Sequence, residues 1–319
     1  MSGMSKNLGH WQWEEAASGA VAGFTTVASL HPLDVVRTRF QVNDGRVTHI
    51  PLYKNTVNAL FTIGRTEGLK GLYAGFHPAV LGSTVSWGLY FFFYNRAKQR
   101  YSKGGSEKLT AGYHLVSAAE AGGLVCLCTN PIWLVKTRLQ LQTPLHQTRP
   151  YSGFYDALRT ILREEGVSAL YKGMGPGLLL VSYYYYVSHG AIQFTVYEEL
   201  RKLLLGFKGK EGKTNIPDDK LLNSIDYGML GASSKVSAML LTYPYQVIRA
   251  RIQQRPGNDG IPKYMSSWHV VKDTVRFEGF PGFYKGITSN LLKNVPAASI
   301  TFVVYENVLN IFKRARRKD

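Results

Sequence analysis

The chain has 319 residues, 45% of them hydrophobic, and a formal net charge of +17, with a mean hydropathy of −0.12. Two cysteines, Cys126 and Cys128, exclude a disulfide framework. The basic excess suits nucleic acid, anionic lipid or an anionic small molecule, but it lies between apolar segments rather than along one stripe, which argues against nucleic acid.

In chain order, residues 1–12 carry one base, Lys6, and no apolar core, so no cleavable targeting segment is expected. An apolar helix comes next over about 13–42, then a short amphipathic helix over 54–66, then a second apolar helix over 76–101. The same order recurs as 111–142, 151–163 and 174–204, and again as 222–255, 264–277 and 287–313. Residues 16–36 hold one formal charge, Asp34, and 76–94 and 173–197 hold none. Such stretches approach the roughly 20 residues that a helix needs to cross a bilayer. The expected fold is therefore an all-α membrane protein with six transmembrane helices in three tandem repeats, plus three short surface helices. Its expected units are 11–104, 109–208 and 220–315.

Two motifs define the repeat. Pro32, Pro131 and Pro244 are each followed by a base at five residues (Arg37, Lys136, Arg249), another at seven (Arg39, Arg138, Arg251) and glutamine at nine (Gln41, Gln140, Gln253). Glu67-Gly68, Glu165-Gly166 and Glu278-Gly279 come 35, 34 and 34 residues after the prolines, and lead into Tyr73-Ala74-Gly75, Tyr171-Lys172-Gly173 and Tyr284-Lys285-Gly286. A fixed spacing held through three copies is the mark of a repeat architecture. Gly19 and Gly23, and Ala118 and Gly122, stand four apart, a spacing that predicts close helix packing within a membrane. The third copy has Gly231 and Lys235 there.

With its triple proline motif, the whole chain resembles the mitochondrial carrier family. The resemblance implies a threefold pseudo-symmetric barrel, alternating access and a central substrate site. Ser86-Trp87-Gly88-Leu89-Tyr90 and Thr242-Tyr243-Pro244-Tyr245-Gln246 look like the folate and flavin carriers of that family. Residues 11–13 and 139–146 look like the folate carriers of the plant chloroplast envelope. The implied function is folate transport across the chloroplast envelope inner membrane, with the mitochondrial inner membrane as the alternative location. A flavin or pyrimidine-nucleotide carrier is the alternative function, since Trp133 at the second motif is shared with pyrimidine-nucleotide carriers. No enzyme activity, cofactor or metal is expected. Expected partners are the anionic aromatic substrate and membrane lipid, with anionic lipid at the surface helices, and the expected state is a monomer.

The prolines Pro32, Pro131 and Pro244 predict kinks and freed carbonyls in the odd-numbered helices. The family's arrangement implies a gate in which Asp34 faces Lys136, Trp133 faces Arg249 and Gln246 faces Arg37, braced by Gln41, Gln140 and Gln253. One full ion pair of three predicts a gate that opens with less help from substrate. For the substrate, Lys293 lies seven residues after Gly286, at a family contact position, and the same offset gives Gly82 and Leu180. Charges within spanning helices usually face water or a partner. Lys293 and Lys235 therefore suit folate carboxylates, Glu120 suits the donor edge of the pterin, and Trp87 and Trp133 suit ring stacking. The bland readings are a Glu120–Lys235 pair and tryptophans used for packing.

One departure stands out. From the repeat glycine to the helix-end tyrosine there are 19 residues in copies one and three, but 24 from Gly173 to Tyr197. The excess looks like residues 183–188, because Val181-Ser182 is echoed by Val187-Ser188. Six extra residues in a helix rotate every later side chain by roughly 240°. The insert implies either an impaired variant or a locally looped fourth helix with changed specificity.

Overall fold

A computed structural model describes residues 3–45, 51–102, 111–144, 149–174, 192–207, 222–257 and 262–316. Among these residues the only regular structure is helical. The long helices are α1 (Gly3–Val42), α4 (Phe76–Tyr101), α5 (Ala111–Leu141), α8 (Ser224–Ile252) and α10 (Ile287–Arg316). The short ones are α2 (Thr56–Thr66), α3 (Gly68–Leu72), α6 (Phe154–Glu164) and α9 (Ser267–Glu278). Residues 192–207 form α7, the described part of the fourth expected spanning helix. Residues 183–188 and Leu180 lie outside the described residues. The helix order agrees with the sequence pattern, except that α1 begins about ten residues earlier than the apolar pattern does.

Stretches Gly112–Leu141 and Phe280–Ala315 reach a mean hydropathy of 1.3, long and apolar enough to cross a membrane. Charged residues dilute the apolar character of α1 and α8, and among them Asp34, Arg37, Lys235 and Arg249 line an interior cavity. Helix α4 packs along α5, and α1 packs along α10. The first and last helices of the chain are thus neighbours.

The surface helices are held by one apolar face each. Ala59 and Ile63 of α2 bury against Val35 and Val36. Ala157 and Ile161 of α6 do the same against Leu134 and Val135, and Val270 of α9 packs with Ile252 and Tyr264. Asn55 caps α2 by accepting from the Asn58 amide at 2.8 Å, and Ser266 caps α9 by accepting from His269 at 3.2 Å. Each such cap contributes about 1 kcal/mol.

Helices α1, α5 and α8 run on through Pro32, Pro131 and Pro244. A proline inside a helix leaves the carbonyl four residues back without its usual donor. For Pro32 that is Ala28, and the Tyr73 hydroxyl donates to it at 3.2 Å. The side chain before each proline also reaches a carbonyl in the segment that follows the surface helix of the same repeat. His31 Nε2 donates to the Ala74 carbonyl at 2.9 Å, Asn130 to Leu170 at 2.7 Å and Tyr243 to Lys285 at 3.0 Å. Three different residue types do one job.

The expected small-residue packing is corrected. A methyl group at Gly19, Gly23, Gly122 or Gly231 would meet nothing within 4 Å beyond its own helix backbone. The close approaches are instead at Gly75, Gly173 and Gly286, each with positive φ (73°, 86° and 84°). A Cβ at Gly286 would lie 2.9 Å from the Arg37 carbonyl, and one at Gly75 would lie 3.0 Å from that of Lys136. Only glycine lets these turns press so closely on the neighbouring repeat's helix.

Candidate functional site

The second base of each proline motif builds the frame. Arg39, Arg138 and Arg251 are buried and pair with Glu67, Glu165 and Glu278 of their own repeats. Both guanidinium arms engage each carboxylate, the second at 2.7, 3.0 and 2.9 Å. Such two-point contacts fix direction as well as charge. Each Nε then crosses to the next repeat. Arg39 donates to the Gln140 carbonyl at 3.0 Å, Arg138 to Gln253 at 3.2 Å and Arg251 to Gln41 at 3.0 Å. The three repeats are joined in a ring. Outside the membrane spans, burial pushes the Glu165 carboxyl up. Hydrogen bonds from Arg138 and Lys172 outweigh that and hold it below its ordinary value, and Arg251 and Lys285 do the same for Glu278. Sequence reasoning assigned these arginines and glutamates no role, although their recurrence in all three copies was the available signal.

Beside this ring lies a cavity of about 460 Å³. Its lining includes Asp34, Arg37, Gln41, Trp133, Lys136, Gln140, Lys235, Gln246, Arg249, Gln253 and Lys293. Asp34 is 5% exposed. It accepts from Lys136 Nζ at 2.6 Å, from Lys293 and from the Gln140 amide at 3.0 Å, with Arg37 at 3.8 Å. Arg37 donates to Gln246 Oε1. Thr38 fixes Gln140 by donating to its carbonyl oxygen at 2.8 Å. Thr137 does the same for Gln253 at 3.0 Å.

At the second motif, Arg249 donates to Asn130 Oδ1 at 3.0 Å, and Lys136 stands 5.0 Å over the Trp133 ring. Asn130 was missed because no acid or base marks it. Its position just before Pro131, equivalent to His31 and Tyr243, was the only clue.

The lining carries five Lys or Arg side chains against one carboxylate. The lining thus carries a formal excess of four positive charges, which favours an anionic occupant.

Two expected substrate residues lie elsewhere. Glu120 accepts from Arg100 at 2.7 Å and from the Tyr101 hydroxyl at 3.2 Å, so α4 neutralises it outside the cavity lining. The expected Lys235 pair is replaced by this contact with Arg100. Trp87 is 64% exposed and stacks on Phe91 at 5.9 Å, and it is not among the side chains lining this cavity. Gly82 is buried, and a Cβ there would lie 3.2 Å from Ile132 and 3.3 Å from Trp133. It seats Trp133 against α4.

Comparison with known proteins agrees with this architecture. The family model "mitochondrial carrier protein" matches residues 10–105, 107–208 and 220–316. The chain belongs to the mitochondrial carrier family, a class of all-α, three-repeat membrane transport proteins. It is 68% identical over 305 residues to "Folate transporter 1, chloroplastic" of Arabidopsis thaliana, covering 95% of this chain and 97% of that protein. It is 38% identical over 295 residues to the chloroplastic "Nicotinamide adenine dinucleotide transporter 1" of the same plant, covering 92% and 90%. A mitochondrial nicotinamide adenine dinucleotide transporter of Saccharomyces cerevisiae is 36% identical over 300 residues, covering 92% and 76%.

Proposed function

We propose that this carrier moves folates across the chloroplast envelope inner membrane by alternating access through the central cavity. The observation that carries the reading is the 68% identity, over nearly the full length of both chains, to a protein named as a chloroplastic folate transporter. The charge of the cavity supports it. Folate brings an aromatic pterin and two carboxylates, and the lining offers five basic side chains and Trp133.

In this reading Lys293 and Lys235 receive the carboxylates and Trp133 stacks on a ring. Asp34, Arg37, Trp133, Lys136, Gln246 and Arg249 form the gate, and Gln41, Gln140 and Gln253 brace it. Lys293 already holds Asp34. A substrate carboxylate reaching Lys293 competes with Asp34 and loosens the one acid–base pair of the gate. A gate with one such pair reopens at low cost, so net uptake without counter-substrate is expected. One chain supplies all three repeats, so it works as a monomer, with anionic lipid at the basic ends of the surface helices.

A second reading, a dinucleotide carrier, is favoured by the relatives named as nicotinamide adenine dinucleotide transporters. Uptake of labelled folate into empty liposomes separates the two, with nicotinamide and flavin adenine dinucleotides as competitors. Folate uptake without competition supports the proposal; dinucleotide uptake without folate uptake overturns it. A parallel chain lacking residues 183–188 reports whether the longer fourth helix permits transport.

A further inference from the structure

Two of the three proline motifs give a neighbouring repeat's first base its partner from the same position. Lys136 takes Asp34, two residues after Pro32, and Arg37 takes Gln246, two residues after Pro244. The equivalent residue after Pro131 is Trp133, whose indole offers Arg249 no hydrogen-bond acceptor. Arg249 donates instead to Asn130 Oδ1 at 3.0 Å. Asn130 and Trp133 are three apart on α5 and share a face, so the acceptor lies about one helical turn back from the expected place.

Asn130 has a second task. Its Nδ2 donates to the Leu170 carbonyl at 2.7 Å, in the short helix Val167–Tyr171 that follows α6. Its neighbours fix which way the amide points, because an arginine only donates and a carbonyl only accepts. Asn130 is fully buried and is not among the residues lining the cavity, whereas Arg249 is. The stem of Arg249 meets the same segment, since a Cβ at Gly173 would lie 3.6 Å from its Cγ. In copies one and three His31 and Tyr243 hold the equivalent carbonyls, while Asp34 and Gln246 receive the bases. In copy two one side chain does both.

We infer that Asn130 is a positioning residue of the gate. It stands in for the carboxylate that this chain lacks at Trp133, and it ties Arg249 to the segment that leads into the fourth spanning helix. A substrate carboxylate that draws Arg249 into the cavity breaks the bond to Asn130 and slackens the hold on Leu170. The inference rests on the gate reading above, and not on which anion the carrier moves.

Two replacements separate the tasks. Asn130→Leu removes both bonds. Asn130→Asp gives up the donor to Leu170 but keeps an acceptor, now charged, for Arg249. Labelled folate is followed in proteoliposomes, as net uptake into empty vesicles and as exchange against internal folate. A weaker gate speeds the empty carrier more than the loaded one, whose substrate already favours opening. Asn130→Leu should raise the ratio of net uptake to exchange about tenfold, the worth of a hydrogen bond to a charged group. Asn130→Asp should leave the ratio at or below that of the parent. An unchanged ratio in Asn130→Leu, or an equal rise in both variants, would overturn the inference. Thermal unfolding in detergent repeats the test without substrate. Asn130→Leu should lower the melting temperature by about 2–4 °C more in the parent than in Arg249→Met, and equal losses would overturn the inference. A parent that moves no folate sinks the folate reading alone, and the unfolding cycle then decides the role of Asn130. Should Asn130→Leu not fold, Asn130→Ala replaces it in both measurements.

Discussion

Asp34→Asn removes the single carboxylate from the cavity lining with almost no change of shape. Asparagine still accepts from the Gln140 amide, so the loss is of charge alone. Lys136 at 2.6 Å and Lys293 are then left facing each other beside Arg37. Breaking a buried ion pair by deleting one partner costs about 3–5 kcal/mol. Unfolding entropy of about 2.1 cal/mol/K per residue over 319 residues makes that a fall in melting temperature of about 4–7 °C. The measurement is thermal unfolding of the purified carrier followed by intrinsic tryptophan fluorescence. Asp34→Asn combined with Lys136→Met removes one of the stranded cations and should recover part of the loss. A single variant melting within about 1 °C of the parent, the range of an ordinary surface change, would refute the view that Asp34 compensates this cluster.

Gly286→Ala places a Cβ 2.9 Å from the Arg37 carbonyl at φ 84°, and should lower both melting temperature and transport rate. Gly19→Ala meets nothing beyond its own helix and should leave transport unchanged and gain about 0.5–1 kcal/mol. Acid sensitivity should trace to Glu278, whose carboxyl is held below its ordinary 4.5. Its contribution is fully present above that value and is lost as pH falls through the lowered one. Glu278→Gln should therefore be less stable than the parent at neutral pH, and the two melting curves should converge as the medium is acidified well below pH 4.5. Lys293→Gln should abolish folate-induced stabilisation, read as the shift in melting temperature on adding folate; an undiminished shift would remove Lys293 from the substrate site.

Much of the frame is legible in the sequence because a repeat converts spacing into position. Equal offsets from Pro32, Pro131 and Pro244 mark the equivalent positions, and the family resemblance implies that Asp34 faces Lys136, that Gln246 faces Arg37 and that Gln140 stands beside the pair; the structure has contacts Lys136–Asp34, Arg37–Gln246 and Gln140–Asp34. Features that the repeat does not encode were harder to read. Glu120 is isolated in its apolar run, yet its partner Arg100 comes from α4, and nothing local announces that pairing. Trp87 has the chemistry of a stacking platform, but it packs on Phe91 and does not line the cavity. His31, Asn130 and Tyr243 escape because three residue types perform one task. Small residues at four-residue spacing mark where a helix permits approach, not where a neighbour comes, so Gly19 and Gly23 are uncrowded.

The ring of arginines has a topological consequence. Arg39 and Arg138 reach forward along the chain to the next repeat, but Arg251 reaches back to Gln41, near the beginning. Thr56 and Ser289, 2.9 Å apart, reinforce that closure, as does Lys285 donating to the Asn43 carbonyl at 2.9 Å. The seam that no peptide bond crosses is therefore sewn with the same stitch as the two that the chain spans. For such an object the order of the repeats in the gene is a convention of translation, and its mechanical beginning and end are nowhere in particular.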